Sequence, residues 1–203
     1  MTRRFALAAL ATFTFTALVA TAAQPAAAQT NGYTVTDLGM LPGATASYAR
    51  AVNDSGSVVG SSIIPINQFT DANKGWLWTP SAPNAPSGTL RPLEPLAGWV
   101  SSAAIDINNS GLIVGTSFTN NSDKRYAATF WQGPDYAPTD FNSLQRDPAL
   151  AGWEFTNANL VSDPAAVTGE IYVAGRGTTW PPTAPPLNPV SCGVWMRQAS
   201  LWA

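Results

Sequence analysis

Histidine is absent from the 203 residues, and cysteine occurs once, as Cys192. The missing imidazole excludes His-dependent nucleophilic catalysis, His acid–base chemistry and nearly every zinc site. A single cysteine excludes an intrachain disulfide, so a packed core has to stabilise the chain. Because Cys192 has no His partner, we interpret it as a small buried hydrophobe rather than a nucleophile. The sequence therefore predicts no metal site and no cofactor.

Charge is also scarce: 11% of residues are charged, against 45% that are hydrophobic. Disordered chains show the opposite balance, so the sequence predicts a folded protein. Sixteen Gly, seventeen Pro and eight Trp are typical of a turn-rich all-β protein with an aromatic core. Beyond the N-terminal segment, no window has convincing helical periodicity.

The N-terminal segment 1–28 has the pattern of a secretory signal peptide. Arg3 and Arg4 precede an apolar run, and Ala26-Ala27-Ala28 fits the small-x-small cleavage rule, which leaves Gln29 as the first mature residue. We therefore expect a secreted, extracellular protein. The mature chain keeps eight basic against twelve acidic residues, a net charge of −4. This charge disfavours nucleic acid and anionic membrane as partners.

Self-comparison reveals a repeat of about 55 residues. Leu41-Pro42-Gly43 recurs as Leu96-Ala97-Gly98 and as Leu150-Ala151-Gly152. The chain continues in parallel from each of these triplets and closes with an aromatic segment. We assign repeat 1 to 33–80, repeat 2 to 90–133 and a diverged repeat 3 to 138–198.

Each repeat predicts four short strands. The turns Asn53–Gly56 and Asn108–Gly111 separate two strands of a hairpin, and Gly56 and Gly111 are expected at positive φ. The aromatic segment supplies a third strand. The fourth is the segment that leads into each repeat, at 33–38, 90–93 and 139–144.

Repeat 3 departs from this plan. Its hairpin turn carries six extra residues between Asp163 and Gly175, and a Pro-rich insertion follows at Trp180–Pro189. A diverged last unit is what a capping repeat looks like.

The pattern resembles the HAF family of extracellular repeats. The resemblance is clearest over Tyr33–Pro80, where Asp37-Leu38-Gly39 and Asn53-Asp54-Ser55-Gly56 match the family motif. The His-Ala-Phe triplet that names the family is replaced by Lys74-Gly75-Trp76 and by Ala127-Ala128-Thr129. The resemblance implies a repeated extracellular architecture and carries no activity.

Four strands and one Trp in each repeat predict an all-β fold of three propeller-type blades in an incomplete ring. A β-trefoil is the alternative, because three four-stranded repeats close that fold within one chain. A β-solenoid or another sandwich stays open as well.

Two patterns have a plain structural interpretation. Asp106-x-Asn108-x-Ser110-Gly111 begins like a calcium loop, but the downstream Glu is missing, and a hairpin turn explains the residues. Trp78, Trp131 and Trp195 occupy equivalent places in the three repeats, which favours packing between units over a row of sugar platforms.

Trp99 and Trp153 are the candidate binding residues. Each follows a Gly in an expected connection, whereas repeat 1 has Ala44 at that position. A packing position needed by every unit would not accept Ala so readily, so these two Trp predict an exposed binding surface.

We therefore expect a non-enzymatic surface or matrix interaction module that binds a glycan or a protein at its exposed loops. The alternative is a carbohydrate-binding lectin or a glycoside-active enzyme, although spacing alone cannot place any pair of carboxylates face to face. The open edges of an incomplete ring further predict self-association.

Overall fold

The computed structural model describes residues 34–120, 124–144, 148 and 151–179, and the backbone of 194–198. The expected signal peptide, Cys192 and the Pro-rich insertion lie outside the described residues. Residues 1–35 and 36–203 form two separate units. Within the described residues, no helix is long and apolar enough to cross a membrane.

The described residues of unit 36–203 are all-β and form three antiparallel sheets, none of them closed. The first sheet comprises β1 (Ala46–Val52), β2 (Val58–Asn67), β3 (Thr70–Pro80) and β4 (Gly88–Leu93). The second sheet comprises β5 (Ser101–Ile107), β6 (Ile113–Phe118), β7 (Tyr126–Gln132) and β8 (Ala137–Asp140). The third sheet comprises β9 (Trp153–Val161), β10 (Ile171–Thr179) and β11 (Val194–Gln198). A short 3₁₀ helix, Phe141–Ser143, follows β8. The all-β prediction is confirmed.

The two predicted hairpin turns are present between β1 and β2 and between β5 and β6. Gly56 and Gly111 both have φ +82°, as predicted. Their turns are also stabilised by side chains: Asn53 Oδ1 accepts the Ser57 N–H at 3.0 Å, and Asn108 Oδ1 accepts the Leu112 N–H at 2.9 Å. In both turns the side-chain oxygen of Asn accepts a backbone N–H of the same turn, which explains why Asn stands at this position.

The lead-in segments differ from the prediction. Segment 90–93 pairs with β3 and so completes the first sheet instead of opening the second. Residues 34–38 form no strand, and segment 139–144 is divided between the end of β8 and the 3₁₀ helix. Local pattern identified strand-forming residues but could not choose their partners, because pairing depends on segments distant in the chain.

One irregularity recurs in all three sheets. The register shifts between Ala49 and Ala51 and between Ala104 and Asp106, and a matching shift occurs in β9. A bulge bends its strand and brings backbone close to the partner strand. The partner residues are therefore glycines. A Cβ on Gly60, Gly115 or Gly175 would lie 2.0 Å from the carbonyl oxygen of Tyr48, Ala103 or Asn157, respectively.

The sheets pack on one another through apolar faces. One core cluster joins the first and second sheets, and its members include Val59, Leu77, Ala104, Ile113 and Trp131. A second cluster joins the second and third sheets, and its members include Leu112, Val114, Phe130, Phe155 and Val173. Full burial of such a side chain contributes about 1.5–3 kcal/mol, so these clusters hold the stack together.

The Trp positions are only partly equivalent. Trp131 is fully buried on the face of the second sheet that meets the first sheet. Trp78 is buried on the face of the first sheet that points away from the second sheet, which we call the outer face. Segment 38–44 covers that outer face through Leu38, Leu41 and Ala44. Trp78 pairs with Val58, which lies two residues before Gly60, and Trp131 pairs with Ile113, which lies two residues before Gly115. Both glycines face a bulge. The register gives that position in β10–β11 to Met196, so the predicted equivalence of Trp195 is wrong by one residue.

Buried serines add hydrogen bonds between the first two sheets. Ser102 Oγ, at the start of β5, accepts the Gly75 N–H of β3 at 2.9 Å and donates to Leu93 O at 2.6 Å. Ser101 Oγ accepts the Asn73 N–H at 3.1 Å. Strand β4 ends at Leu93, opposite Gly75, and leaves the earlier residues of β3 without a neighbour on that side. The serine hydroxyl groups therefore accept from backbone donors where the β4 ladder ends.

Candidate functional site

The stack has two ends that carry different residues. The turns β1–β2, β5–β6 and β9–β10 lie together, since they hydrogen-bond from sheet to sheet; we call this end the turn face. Because strands alternate in direction, the β2–β3 and β6–β7 turns and the connections between sheets lie at the other end, which we call the connection face.

A ladder of hydrogen bonds crosses the turn face. Asn53 Nδ2 donates to Asn108 O at 3.1 Å, and Asn108 Nδ2 donates to Ser162 O at 2.9 Å. Each bond therefore joins equivalent turns of neighbouring sheets, 55 and 54 residues apart. Asn108 is only 4% exposed, so its amide fixes the sheets relative to each other in a place where water competes little.

A second row lies outside this ladder. Asn109 Nδ2 donates to Asp54 Oδ2 and to Asp163 Oδ2, each at 2.8 Å. Asn109 Oδ1 accepts the Asp54 N–H, and the Asn109 N–H donates to Asp163 Oδ1. One amide thus lies between two carboxylates and donates a hydrogen bond to each of them.

In the ladder, each Asn side chain donates to the sheet that follows it in sequence, and the third sheet has no such Asn. The first and second turns each offer a side-chain amide to the next sheet, whereas the third has Ser162 at that position. Ser162 bonds locally: its Oγ donates to Asp163 O and accepts the Tyr172 N–H. Without an amide at this position, the third turn cannot continue the ladder by the same bond.

A cavity of about 180 Å³ lies at the turn face. It is lined by Val52, Asn53, Asp54, Ile107, Asn108, Asn109, Val161 and Asp163. The row of Asp54, Asn109 and Asp163 forms its polar rim. The accessible lining of this cavity is mostly polar.

The calcium-loop pattern folds as a turn. Asp106 Oδ2 accepts the Val161 N–H at 2.8 Å and Oδ1 accepts the Ile107 N–H at 2.9 Å. Asn108 Oδ1 also accepts from Ser110. These oxygens point to separate backbone donors, and within the described ranges no cluster of three metal-ligating side chains occurs.

Trp99 lies on the connection face between β4 and β5 and is half-buried. The backbone N–H of Trp99 donates to Leu96 O at 2.9 Å, and the preceding Gly98 has φ +82°. The guanidinium carbon of Arg125 lies 5.7 Å from the centre of its ring. Trp99 therefore presents a cation-bearing aromatic surface rather than a bare ring.

An aromatic pair lies next to Arg125 in the chain. The rings of Phe118 and Tyr126 stack with centroids 5.7 Å apart and an interplanar angle of 27°. Tyr126 is 42% exposed and follows Arg125 directly on the strand, so this pair lies on the opposite face of the second sheet from Arg125 and Trp99.

Trp153 occupies the equivalent place in the third sheet but has a different setting. It is half-buried at the first position of β9, opposite Thr179, and a Cβ on Gly177 would lie 3.3 Å from its ring. Its ring therefore packs against its own sheet. The two predicted binding residues share a repeat position and lie at the starts of two different sheets.

Several residues of these surfaces were not identified from the sequence. The repetition of Asp54, Asn109 and Asp163 at the repeat period was a signal that could have revealed the turn-face row. Arg125, Phe118 and Tyr126 gave no comparable signal, because repeat 1 has no matching residues in the ungapped alignment. Comparison with protein-family models, with curated proteins and with solved structures found no match.

Proposed function

We propose that this chain is an exported, non-enzymatic interaction module of the HAF repeat type, whose three sheets are propeller-type blades in an incomplete ring. Such a module would bind a glycan or protein through loops held on a rigid β scaffold. The expected signal peptide and the low charge of the mature chain support export to an extracellular surface or matrix.

The order of strands supports the blade assignment. Within each sheet the strands are hydrogen-bonded in consecutive order, and successive sheets pack face to face. The first strands β1, β5 and β9 neighbour one another in sequence order. This is how blades are arranged about an axis, whereas a trefoil shares a barrel among its three repeats.

The observation that supports a binding function is that the turn-face carboxylates are hydrogen-bonded within the fold. Asp54, Asp106 and Asp163 all accept hydrogen bonds from neighbouring turns or sheets. Carboxylates held in this way fix loop positions, while glycosidic catalysis needs a pair free to face one another across a substrate. The exposed loops are then pre-organised surfaces for recognition.

The test uses mature protein, residues 29–203, on a glycan array and a panel of purified extracellular matrix proteins, in parallel with a glycosidase screen. We expect saturable binding to at least one surface without release of reducing sugar. Release of reducing sugar that disappears on heat denaturation of the protein would overturn the non-enzymatic proposal.

A lectin is the second candidate, favoured by the half-buried Trp99 and the exposed Tyr126 on the connection face. Aromatic rings bury large area at little entropic cost and suit the apolar faces of sugars. Binding on the glycan panel that is lost in Trp99→Ala, with matrix-protein binding absent, would select this candidate.

Self-association is also part of the proposal. The outer face of the first sheet is covered by segment 38–44. On the third sheet, Leu160 and Tyr172 are 62% and 37% exposed. Exposed apolar residues beside open strands favour association, so we expect a second copy to contact the third sheet rather than the first.

A further inference from the structure

The fourth strand of each of the first two sheets is supplied by the segment that leads into the next sheet. Strand β4 pairs with β3 and ends at Leu93, which is buried in one cluster with Ile113 and Trp131 of the second sheet. Strand β8 pairs with β7 and is followed by Phe141, which is buried in one cluster with Phe155 of the third sheet. Each of these segments therefore completes one sheet and then covers the next.

The first lead-in segment, residues 34–38, has the same pattern but forms no strand. Its Thr36-Asp37-Leu38 corresponds to Thr139-Asp140-Phe141 at the end of β8. The turn that follows is also the same. The Gly39 N–H donates to Asp37 Oδ1 at 2.9 Å. The Asn142 N–H likewise donates to Asp140 Oδ1 at 2.8 Å. The chain before Leu38 therefore has the local structure of a chain that leaves a fourth strand.

The apolar residue of this segment is left in water. Val35 is 94% exposed. Leu90, which holds the same place in β4 one repeat later, packs against Trp76 and Trp78 of its sheet. Val and Thr are residues that strands favour, so segment 34–38 has strand-forming residues without a sheet.

The third sheet has a matching vacancy. Among the described residues it comprises β9, β10 and β11, and β11 pairs with β10 alone. Its other edge corresponds to the edge where β3 pairs with β4 and β7 pairs with β8. A strand edge with unpaired N–H and C=O groups is a template for a further strand.

The register of the first two sheets predicts the partners of an added strand. On the third strand of each sheet, one residue pairs with the bulge-facing glycine: Trp76, Thr129 or Val194. On the fourth strands, the residues opposite the first two of these are Pro92 and Asp140. Asp37 holds the place of both, so an added segment would set Asp37 opposite Val194 and Thr36 opposite Trp195.

The lead-in segment cannot reach the third sheet of its own chain in this register. Leu38, next to Asp37, packs on the outer face of the first sheet. The second sheet lies between the first and the third. Packed sheets are about 10 Å apart, so about 20 Å has to be crossed. One residue of extended chain spans only about 3.5 Å, so the segment has to come from another copy.

We propose that residues 34–38 of one copy add to β11 of a second copy as the antiparallel fourth strand of its third sheet. Each copy has one such segment and one such edge, so two copies can exchange segments reciprocally. This inference deepens the self-association within the proposed function and rests on it, since it names the segment that makes the contact.

The prolines of the existing fourth strands show which N–H groups such a pairing uses. Pro92 and Pro138 lie within β4 and β8 without breaking either ladder. Proline has no N–H, and in an antiparallel pair alternate residues bond to the neighbouring strand. The ladder bonds therefore come from the intervening residues, which include Arg91 and Thr139. Thr36 holds the place of these two residues.

The experiment measures the association of mature protein, residues 29–203, by sedimentation velocity. We expect the parent protein to form a dimer. Thr36→Pro removes a ladder N–H and should weaken association at least about tenfold. Val35→Pro is the matched control, since β8 carries Pro138 at that place, and it should associate within about threefold of the parent.

Two further measurements locate the contact and check the fold. Amide hydrogen exchange over 194–198 should slow as the protein concentration rises in the parent and in Val35→Pro, but not in Thr36→Pro. Urea unfolding of dilute, monomeric protein should give the same midpoint for all three proteins, because residues 35 and 36 are exposed.

The other outcomes overturn strand addition. Equal association of Thr36→Pro and the parent contradicts it and leaves self-association in place. Exchange over 194–198 that is slow at every concentration shows that the edge is covered within one copy. A lower urea midpoint for dilute Thr36→Pro shows that the segment belongs to the fold of the single chain. A monomeric parent contradicts both strand addition and self-association. Glycan and matrix binding is tested separately, on the array and matrix panel.

Discussion

The side-chain amide of Asn53 donates a 3.1 Å hydrogen bond to the backbone oxygen of Asn108, the residue that occupies the same turn position one sheet later. Asn108 repeats the relationship with Ser162 at 2.9 Å. One residue type therefore performs two tasks: its Oδ1 closes its own turn, and its Nδ2 binds the next sheet. The energetic consequence is coupling between local turn formation and assembly of the stack.

The first prediction concerns this coupling. Asn108→Ala removes bonds to Leu112, Ser110 and Ser162, and it leaves buried backbone groups without partners. We expect the free energy of unfolding to fall by about 2–4 kcal/mol, measured by urea denaturation. Ser110→Ala, at an exposed turn position, should cost less than about 1 kcal/mol. Similar losses in both variants would show that the ladder contributes no stability.

The second prediction concerns the glycine opposite each bulge. A Cβ on Gly115 would lie 2.0 Å from Ala103 O, so Gly115→Ala forces the two strands apart. We expect it to cost more than about 3 kcal/mol or to prevent folding.

The turn glycine Gly111 supplies the control for Gly115. A Cβ there meets no atom within 4 Å, and only its φ of +82° is unfavourable for other residues. Gly111→Ala should therefore cost about 1–2 kcal/mol, and Gly111→Val should cost more than about 1 kcal/mol. If Gly115→Ala unfolds at the same urea concentration as Gly111→Ala, the close approach at the bulge is not limiting.

The third prediction concerns the row on the turn face. Asn109→Asp replaces the amide between Asp54 and Asp163 by a third carboxylate, whereas Asn109→Ala removes the amide without adding charge. At pH 7 the Asp variant should be the less stable of the two, because like charges at this distance repel.

The difference in stability between the two variants should depend on pH. The repulsion destabilises the folded Asp variant only while the carboxylates are ionised, and it raises the folded-state pKa of the introduced group above its unfolded value of about 4. The disadvantage of the Asp variant should therefore shrink as the pH falls towards about 4 and be lost below it. Thermal unfolding of both variants between neutral and acidic pH measures this. Equal midpoints at pH 7 would show that the row tolerates a third charge.

The fourth prediction concerns export. Because Ala26-Ala27-Ala28 fits a cleavage site, the secreted protein should begin at Gln29. N-terminal sequencing of the extracellular fraction checks this directly. Recovery of chains that retain Met1 or Arg3 would contradict processing at this position.

The fifth prediction concerns self-association. Static light scattering of the mature protein at tens of micromolar should give a mass above that of the monomer. Leu160→Glu, on the third sheet, should lower the mass, since it places a charge on an exposed apolar position. Val52→Glu is the control, because Val52 is 66% exposed at the turn face. A monomeric parent protein, or equal effects of both variants, would contradict contact through the third sheet.

Local chemistry was sufficient for some features. Asn53, Ser55 and Gly56 specify a tight turn within a few residues, because side-chain oxygens bond nearby N–H groups and Gly accepts positive φ at no steric cost. The turns at 53–56 and 108–111, the all-β class and the repeat period could therefore be derived from the amino acids alone. The recurrence of Gly60, Gly115 and Gly175 was visible too, but its cause, the facing bulge, was not.

Other features depended on residues that only folding brings together. Segment 90–93 is an adequate strand for either neighbouring unit, and its pairing with β3 is set by which arrangement buries Leu93 beneath the second sheet. Arg91 and Arg125 are the same residue type, and the sequence alone does not distinguish their roles. One finds carbonyl partners 43 and 44 residues away, and the other keeps its donors available. Backbone preferences act over about four residues, whereas partner choice follows from the burial of faces contributed by distant segments, and no local pattern contains that information.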